Sequence, residues 1–166
     1  RKNLNVIKLD IRDHDKIPMM GAETIVHLAS IANDPSVELN SKLSWEVNVL
    51  ATQKLVENAI KNKVKHFIFA SSGSVYGVKK EKEVTEDLSV VPISTYNKTK
   101  MISERILKSY QNEIKIHCIR PATVCGYSPR MRLDVTVNIF TFQALRFKLM
   151  TVFGGDQIRP NIHIQD

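Results

Sequence analysis

Glycine is scarce in this chain: six in 166 residues, with no Gly-x-x-Gly-x-x-Gly or related cluster. A glycine-rich turn opening a helix is the usual cradle for a dinucleotide pyrophosphate, because bare backbone N–H groups and the helix dipole meet there. These residues hold no such turn, so the sheet they build is expected to start after it and to stop before any following lobe is complete. Cysteine is also rare. Cys118 and Cys125 lack Cys-x-x-Cys spacing and cannot staple a secreted disulfide framework, so both are expected as reduced structural thiols. Long apolar runs are missing too: 24–29 and 66–70 are strand-length, far below the roughly 20 residues of a membrane span. The opening Arg1-Lys2-Asn3-Leu4 leads into an alternating run rather than an apolar signal core, which makes a cytoplasmic location the expectation. No two histidines have metal-ligand spacing, and no metal is expected.

What is present is a mixed composition, 43% hydrophobic and 25% charged, with a net charge of +7. The basic residues are dispersed: Lys79, Lys80 and Lys82 alternate with Glu81 and Glu83, and Lys61, Lys63 and Lys65 crowd a helix end. Such spreading suits solvated faces and attraction for phosphate-bearing ligands better than a nucleic-acid interface. Apolar, β-branched-rich runs at 4–9, 24–29, 66–72 and 115–120 read as buried strands. Between them, 45–62 (Val47, Leu50, Leu55, Val56, Ala59, Ile60) and 96–111 (Ile102, Ile106, Leu107, Tyr110) carry helical spacing. Strand and helix in alternation predict an α/β fold, a partial doubly wound, Rossmann-like parallel sheet over 1–125. From 126 onward the texture changes: turn residues, a helix over 134–148, a short strand over 150–153 and Gly154-Gly155 suggest the opening of a substrate-binding region.

The strongest local signal is Tyr96-Asn97-Lys98-Thr99-Lys100 at a helix start. Residues four apart share a helix face, so the Lys100 ammonium can lie beneath the Tyr96 ring. A nearby cation favours the ionised form of a phenol, whose free pKa of about 10 otherwise makes it a poor base. Alone, the spacing also describes an ordinary surface pair. The third strand, however, runs out into Ala70-Ser71-Ser72-Gly73-Ser74-Val75-Tyr76-Gly77, and the carboxyl ends of parallel strands are where ligands bind. Ser72 there could donate to the same oxygen that Tyr96 deprotonates, although a Ser-rich strand end can equally be a plain turn.

Together these motifs resemble the extended short-chain dehydrogenase/reductases that epimerise, dehydrate or reduce nucleotide sugars on a tightly held NAD, with UDP-glucose 4-epimerase as the type. The resemblance implies that Ser72, Tyr96 and Lys100 are catalytic, with Lys100 also holding the nicotinamide ribose. It further implies cofactor contacts at Asp10 and Ile11 on the adenine side, at Leu28, Ala29 and Ser30 along the dinucleotide, and at Ser71 and Pro121 near the nicotinamide. Substrate contacts would come from Ser72, Ser74, Thr123 and Arg159, the last gripping the diphosphate with its paired donors. Asn48 resembles a buried structural asparagine of the family. Taken as residues, Asp10 is also a turn former, Asn48 a polar helix face, Pro121 a strand terminator and Arg159 a surface arginine. Gly73-Ser74 stands where the dehydratase branch carries Asp-Glu, which points to epimerisation. The expected partners are a nucleotide-diphosphate sugar and, at full length, a second copy in a homodimer. The competing expectation is a non-catalytic truncated fragment or binding module of the same fold, its charge serving RNA.

Overall fold

A computed structural model describes residues 3–166, which form two compact units divided between Arg120 and Pro121. In the first, strands β1 (Thr24–His27), β2 (His66–Ala70) and β3 (Lys115–Ile119) form a parallel sheet in the order β1-β2-β3. Phe67 pairs with Ile25 on one side and Ile116 on the other, and Phe69 with His27 and Cys118. One crossover runs through α1 (Asp34–Leu39), α2 (Ser41–Trp45), a π-helical turn (Glu46–Leu50) and α3 (Ala51–Lys61); the other contains α4 (Thr95–Ser109). The core is Leu55, Val56 and Ala59 of α3, Phe67 and Phe69 of β2, Leu107 of α4, and Met19, Val64 and Ile114. Burying each large side chain there contributes about 1.5–3 kcal/mol, so β2 is clamped between both neighbours and under both long helices.

The parallel α/β architecture agrees with the sequence; two expected strands do not form. Residues 4–9 carry the right alternation but no ladder, and Leu4 and Val6 are 64% and 79% exposed. A strand needs a neighbour for its N–H and C=O groups, and among the described residues β1 has a ladder only to β2. Residues 150–153 likewise form no ladder and are exposed.

The helix expected over 45–62 exists, running from the end of α2 through the π-helical turn into α3, and Leu55, Val56 and Ala59 are buried as expected. At its start the buried face differs: Asn48 and Val49 face inward, while Leu50, expected in the apolar stripe, is exposed. Asn48 is completely engaged: Oδ1 accepts from the Ile31 N–H (2.8 Å), and Nδ2 donates to the Ile31 carbonyl (3.0 Å) and to Thr99 Oγ1 (3.2 Å). It thus ties the strand end beyond β1 to α4.

In the second unit β4 (Thr123–Cys125) pairs in parallel with β5 (Asn161–His163), and α5 (Thr136–Phe147) falls within the expected helix. Asn138 of α5 accepts from the Gly126 N–H (2.9 Å) and donates to the Arg132 carbonyl (2.9 Å), fixing the turn after β4. Both cysteines are free.

Candidate active site

Helix α4 starts with Ser94 as its cap, the hydroxyl accepting from the Asn97 N–H (3.2 Å). Its first turn is thereby anchored, and Tyr96, Asn97 and Lys100 leave it in defined directions. The inward face of α4 is not the aliphatic stripe expected from the sequence. Ile102, Ile106 and Tyr110 are only half-buried, whereas Asn97, Thr99, Lys100, Ser103, Glu104 and Leu107 are buried. A polar face can be buried when every group finds a partner. Thr99 donates to the Tyr96 carbonyl (2.7 Å), and Ser103 to the carbonyls of Asn48 (2.7 Å) and Thr99 (2.9 Å).

Lys100 is 4% exposed, and its ammonium donates to the Ala70 carbonyl at the end of β2 (2.9 Å). It lies 5.7 Å from the centre of the Tyr96 ring and 4.9 Å from that of Phe69, both within cation–π reach. Burial without a carboxylate partner pulls its pKa down to about 8. Of its three N–H donors, one is committed to Ala70.

The residue after Ala70, Ser71, has the one buried side-chain oxygen or nitrogen left without a partner among the described residues. Ser72 follows, then a 3-10 turn (Gly73–Tyr76) that Ser72 caps. Ser72 Oγ lies 2.7 Å from Ser74 Oγ, and Ser74 donates to Asn97 Oδ1 (2.5 Å). The turn closes at Gly77, with φ +70°; a Cβ there would run into the Val91 carbonyl, so only glycine suits this exit.

Two further polar clusters brace the site. Arg120 grips Glu104 through Nε and Nη2 (3.0 and 2.6 Å) and donates from Nη1 to the Tyr76 hydroxyl (2.9 Å), linking the end of β3 to α4 and to the turn after Ser72. The Glu104 carboxylate holds the Arg120 pKa above its ordinary value. His27, 3% exposed, contacts Thr52 Oγ1 through Nε2 (2.8 Å). Since Thr52 donates its proton to the Asn48 carbonyl (2.8 Å), His27 must be the donor and carry its hydrogen on Nε2. Burial, and secondarily the Lys100 charge, hold the His27 pKa down to about 4, so it is neutral. The sequence marked His27 only as a core-strand residue, and gave no sign that Glu104 and Arg120 would meet.

Ser71, Ser72, Ser74, Tyr96 and Lys100 therefore converge where β2 ends against the first turn of α4. The other expected residues of this unit lie elsewhere. Asp10 is exposed and accepts from Arg12 through both carboxylate oxygens (2.9 Å each), which pulls its pKa down to about 2; it is a turn residue with its partner already in place. Ile11 packs on the core. Leu28 and Ala29 are exposed beyond β1, and Ser30 donates to the Ile31 carbonyl (3.2 Å). In the second unit Pro121 is half-buried, Thr123 is half-buried in β4 with its N–H on the Pro160 carbonyl (3.1 Å), and Arg159 is exposed.

A dinucleotide's nicotinamide half suits these groups. The spare donors of Lys100 match ribose hydroxyls, and the orphaned Ser71 oxygen lacks only a partner. Among the described residues no three His, Cys, Asp or Glu side chains form a metal-holding group, and no helix is long and apolar enough to cross a membrane.

Comparison with known proteins identifies the family. The chain is similar to an uncharacterised UDP-glucose epimerase of Bacillus subtilis (strain 168), 32% identical over 99% of this chain and 53% of the relative. Among solved structures it resembles UDP-N-acetylglucosamine 4-epimerase from Methanobrevibacter ruminantium M1 in complex with UDP-N-acetylmuramic acid (TM-score 0.88, 26% identity, 99% of this chain and 55% of that one). It also resembles UDP-glucuronic acid 4-epimerase from Bacillus cereus in complex with UDP-glucuronic acid and NAD (TM-score 0.77, 30% identity, 95% of this chain and 49% of that one). The chain thus spans about half the length of the relatives it matches. The family model for the NAD dependent epimerase/dehydratase family matches residues 1–166, and the chain belongs to that family.

Proposed function

We propose that the protein containing this chain epimerises a nucleotide-diphosphate sugar by transient oxidation, with Tyr96 as acid and base. The observation that carries this reading is the buried Lys100 ammonium, fixed by Ala70 beneath the Tyr96 ring and next to Ser71-Ser72. A cation so placed favours the phenolate, which can take the proton of a sugar hydroxyl. Ser72 donates to the same oxygen as it becomes a carbonyl, and on return Tyr96 gives the proton back. NAD, when bound, supplies the hydride acceptor and donor. Lys100 and Ser71 would hold its nicotinamide side together with Tyr96 and Pro121; Leu28, Ala29, Ser30, Asp10 and Ile11 are the proposed contacts along the rest. Because Arg12 already engages Asp10, any adenine contact there must share that carboxylate. Ser74, Thr123 and Arg159 are proposed for the sugar nucleotide, and a homodimer for the full-length protein.

Epimerisation is preferred to dehydration because Gly73 and Ser74 provide no acid or base beside Ser72 to remove water. Incubating the full-length protein with NAD and UDP- and dTDP-hexoses, and monitoring products by NMR, tests this. Epimers should accumulate; a 4-keto-6-deoxy sugar as the main product would show the site to be a dehydratase.

A further inference from the structure

Resting on that reading of Ser72, we infer that Asn97 is a positioning residue that holds the Ser72 hydroxyl in place through Ser74. The three side chains form one chain of short hydrogen bonds, from Ser72 Oγ to Ser74 Oγ (2.7 Å) to Asn97 Oδ1 (2.5 Å). Each serine hydroxyl has a single proton. Ser74 gives its proton to Asn97, so in the resting site its oxygen accepts from Ser72, and this fixes where Ser72 Oγ lies. The Ser74 N–H, 3.2 Å from Ser72 Oγ, adds a second restraint from the same residue.

Location makes this more than a local turn. Asn97 is buried and adjoins Tyr96 on the first turn of α4, whereas Ser72 belongs to the loop leaving β2. The two oxygens that must meet one substrate oxygen thus come from different elements, and the Asn97–Ser74 bond joins those elements at the level of the reacting groups. A serine hydroxyl on an exposed turn otherwise has several staggered rotamers open to it. When an incoming sugar oxygen takes the Ser72 proton, the hydroxyl–hydroxyl bond is given up, and Ser72 Oγ stays held by the N–H of Ser74, itself fixed by Asn97.

The Asn97 backbone N–H, not its side chain, receives the Ser94 cap, so Asn97→Ala removes the relay and keeps the start of the helix. The test is a double-mutant cycle in the full-length protein, using whichever UDP- or dTDP-hexose it turns over fastest. Asn97→Ala should lower kcat about tenfold, the equivalent of one lost hydrogen bond of about 1.4 kcal/mol, with KM and NAD affinity within about twofold. In a Ser74→Ala background the same substitution should cost less than about twofold, because its route to Ser72 is already cut. Equal losses in both backgrounds, or a loss confined to KM, would overturn the inference. If Tyr96→Phe and Ser72→Ala leave turnover intact, it is the reading of the site that fails, a result separable from additivity in the cycle.

Discussion

Tyr96→Phe in the full-length protein should reduce epimerase turnover by about 10²–10⁴-fold, the range general acid–base groups supply, while NAD affinity changes by less than about twofold. Only the phenol oxygen is lost; the ring remains to cover Lys100, whose ammonium lies 5.7 Å from its centre. The polar face of α4 also stays intact, because Thr99 bonds the Tyr96 carbonyl rather than its side chain. Steady-state rates together with calorimetric titration of NAD separate the two quantities. Retained turnover would remove the Tyr96 hydroxyl from the reaction, and lost NAD binding would make that hydroxyl, rather than the ring, the contact with the cofactor.

Lys100→Met should damage activity and leave folding nearly unchanged. Turnover should fall by about 10²-fold or more, since the phenol loses its cation and the ribose its donor. Stability should change little. Met fills a similar volume, and removing a desolvated ammonium offsets the cost, about 1–3 kcal/mol, of leaving the Ala70 carbonyl without its donor. The wild-type pH profile should carry the same signature. With its pKa down at about 8, Lys100 loses its proton above that pH, and activity should fall there. The stability effect has the reverse sign. Between about 8 and the ordinary lysine value of 10.5 the unfolded chain binds more protons, so this group raises stability as pH climbs through that window. Lys100→Met should abolish that rise in thermal melts. A drop in stability at pH 7 as large as the loss in activity would make Lys100 a structural residue instead.

The convergence of β2 and α4 was legible in the sequence because a strand ending in small hydroxyl residues and a Tyr-x-x-x-Lys helix start each declare their chemistry by residue type. The packing of α4 was not. Hydrophobic spacing selected Ile102 and Ile106, but the helix buries Asn97, Thr99, Ser103 and Glu104, whose partners sit on other elements: Ser74, Asn48 and Arg120. A buried polar face shows no periodicity of hydrophobicity, so only three-dimensional pairing reveals it. Residues 4–9 and 150–153 erred in the other direction, since alternation states what a strand would bury and not whether a partner exists to pair with it. The inward turn of Asn48 is of the same kind as the buried face of α4, since its partners Ile31 and Thr99 lie on other segments.

If Ser72, Tyr96 and Lys100 serve a hydride removed from and returned to one sugar carbon, isotope retention will reveal it. The UDP- or dTDP-hexose that the full-length protein turns over, deuterated at the carbon whose configuration changes and incubated in ordinary water with NAD, should give an epimer that keeps its deuterium at that carbon, because a hydride held within the site never exchanges with solvent. Deuterium washed out into water would mean that the carbon loses a proton rather than a hydride, and would contradict the mechanism assigned to these three residues.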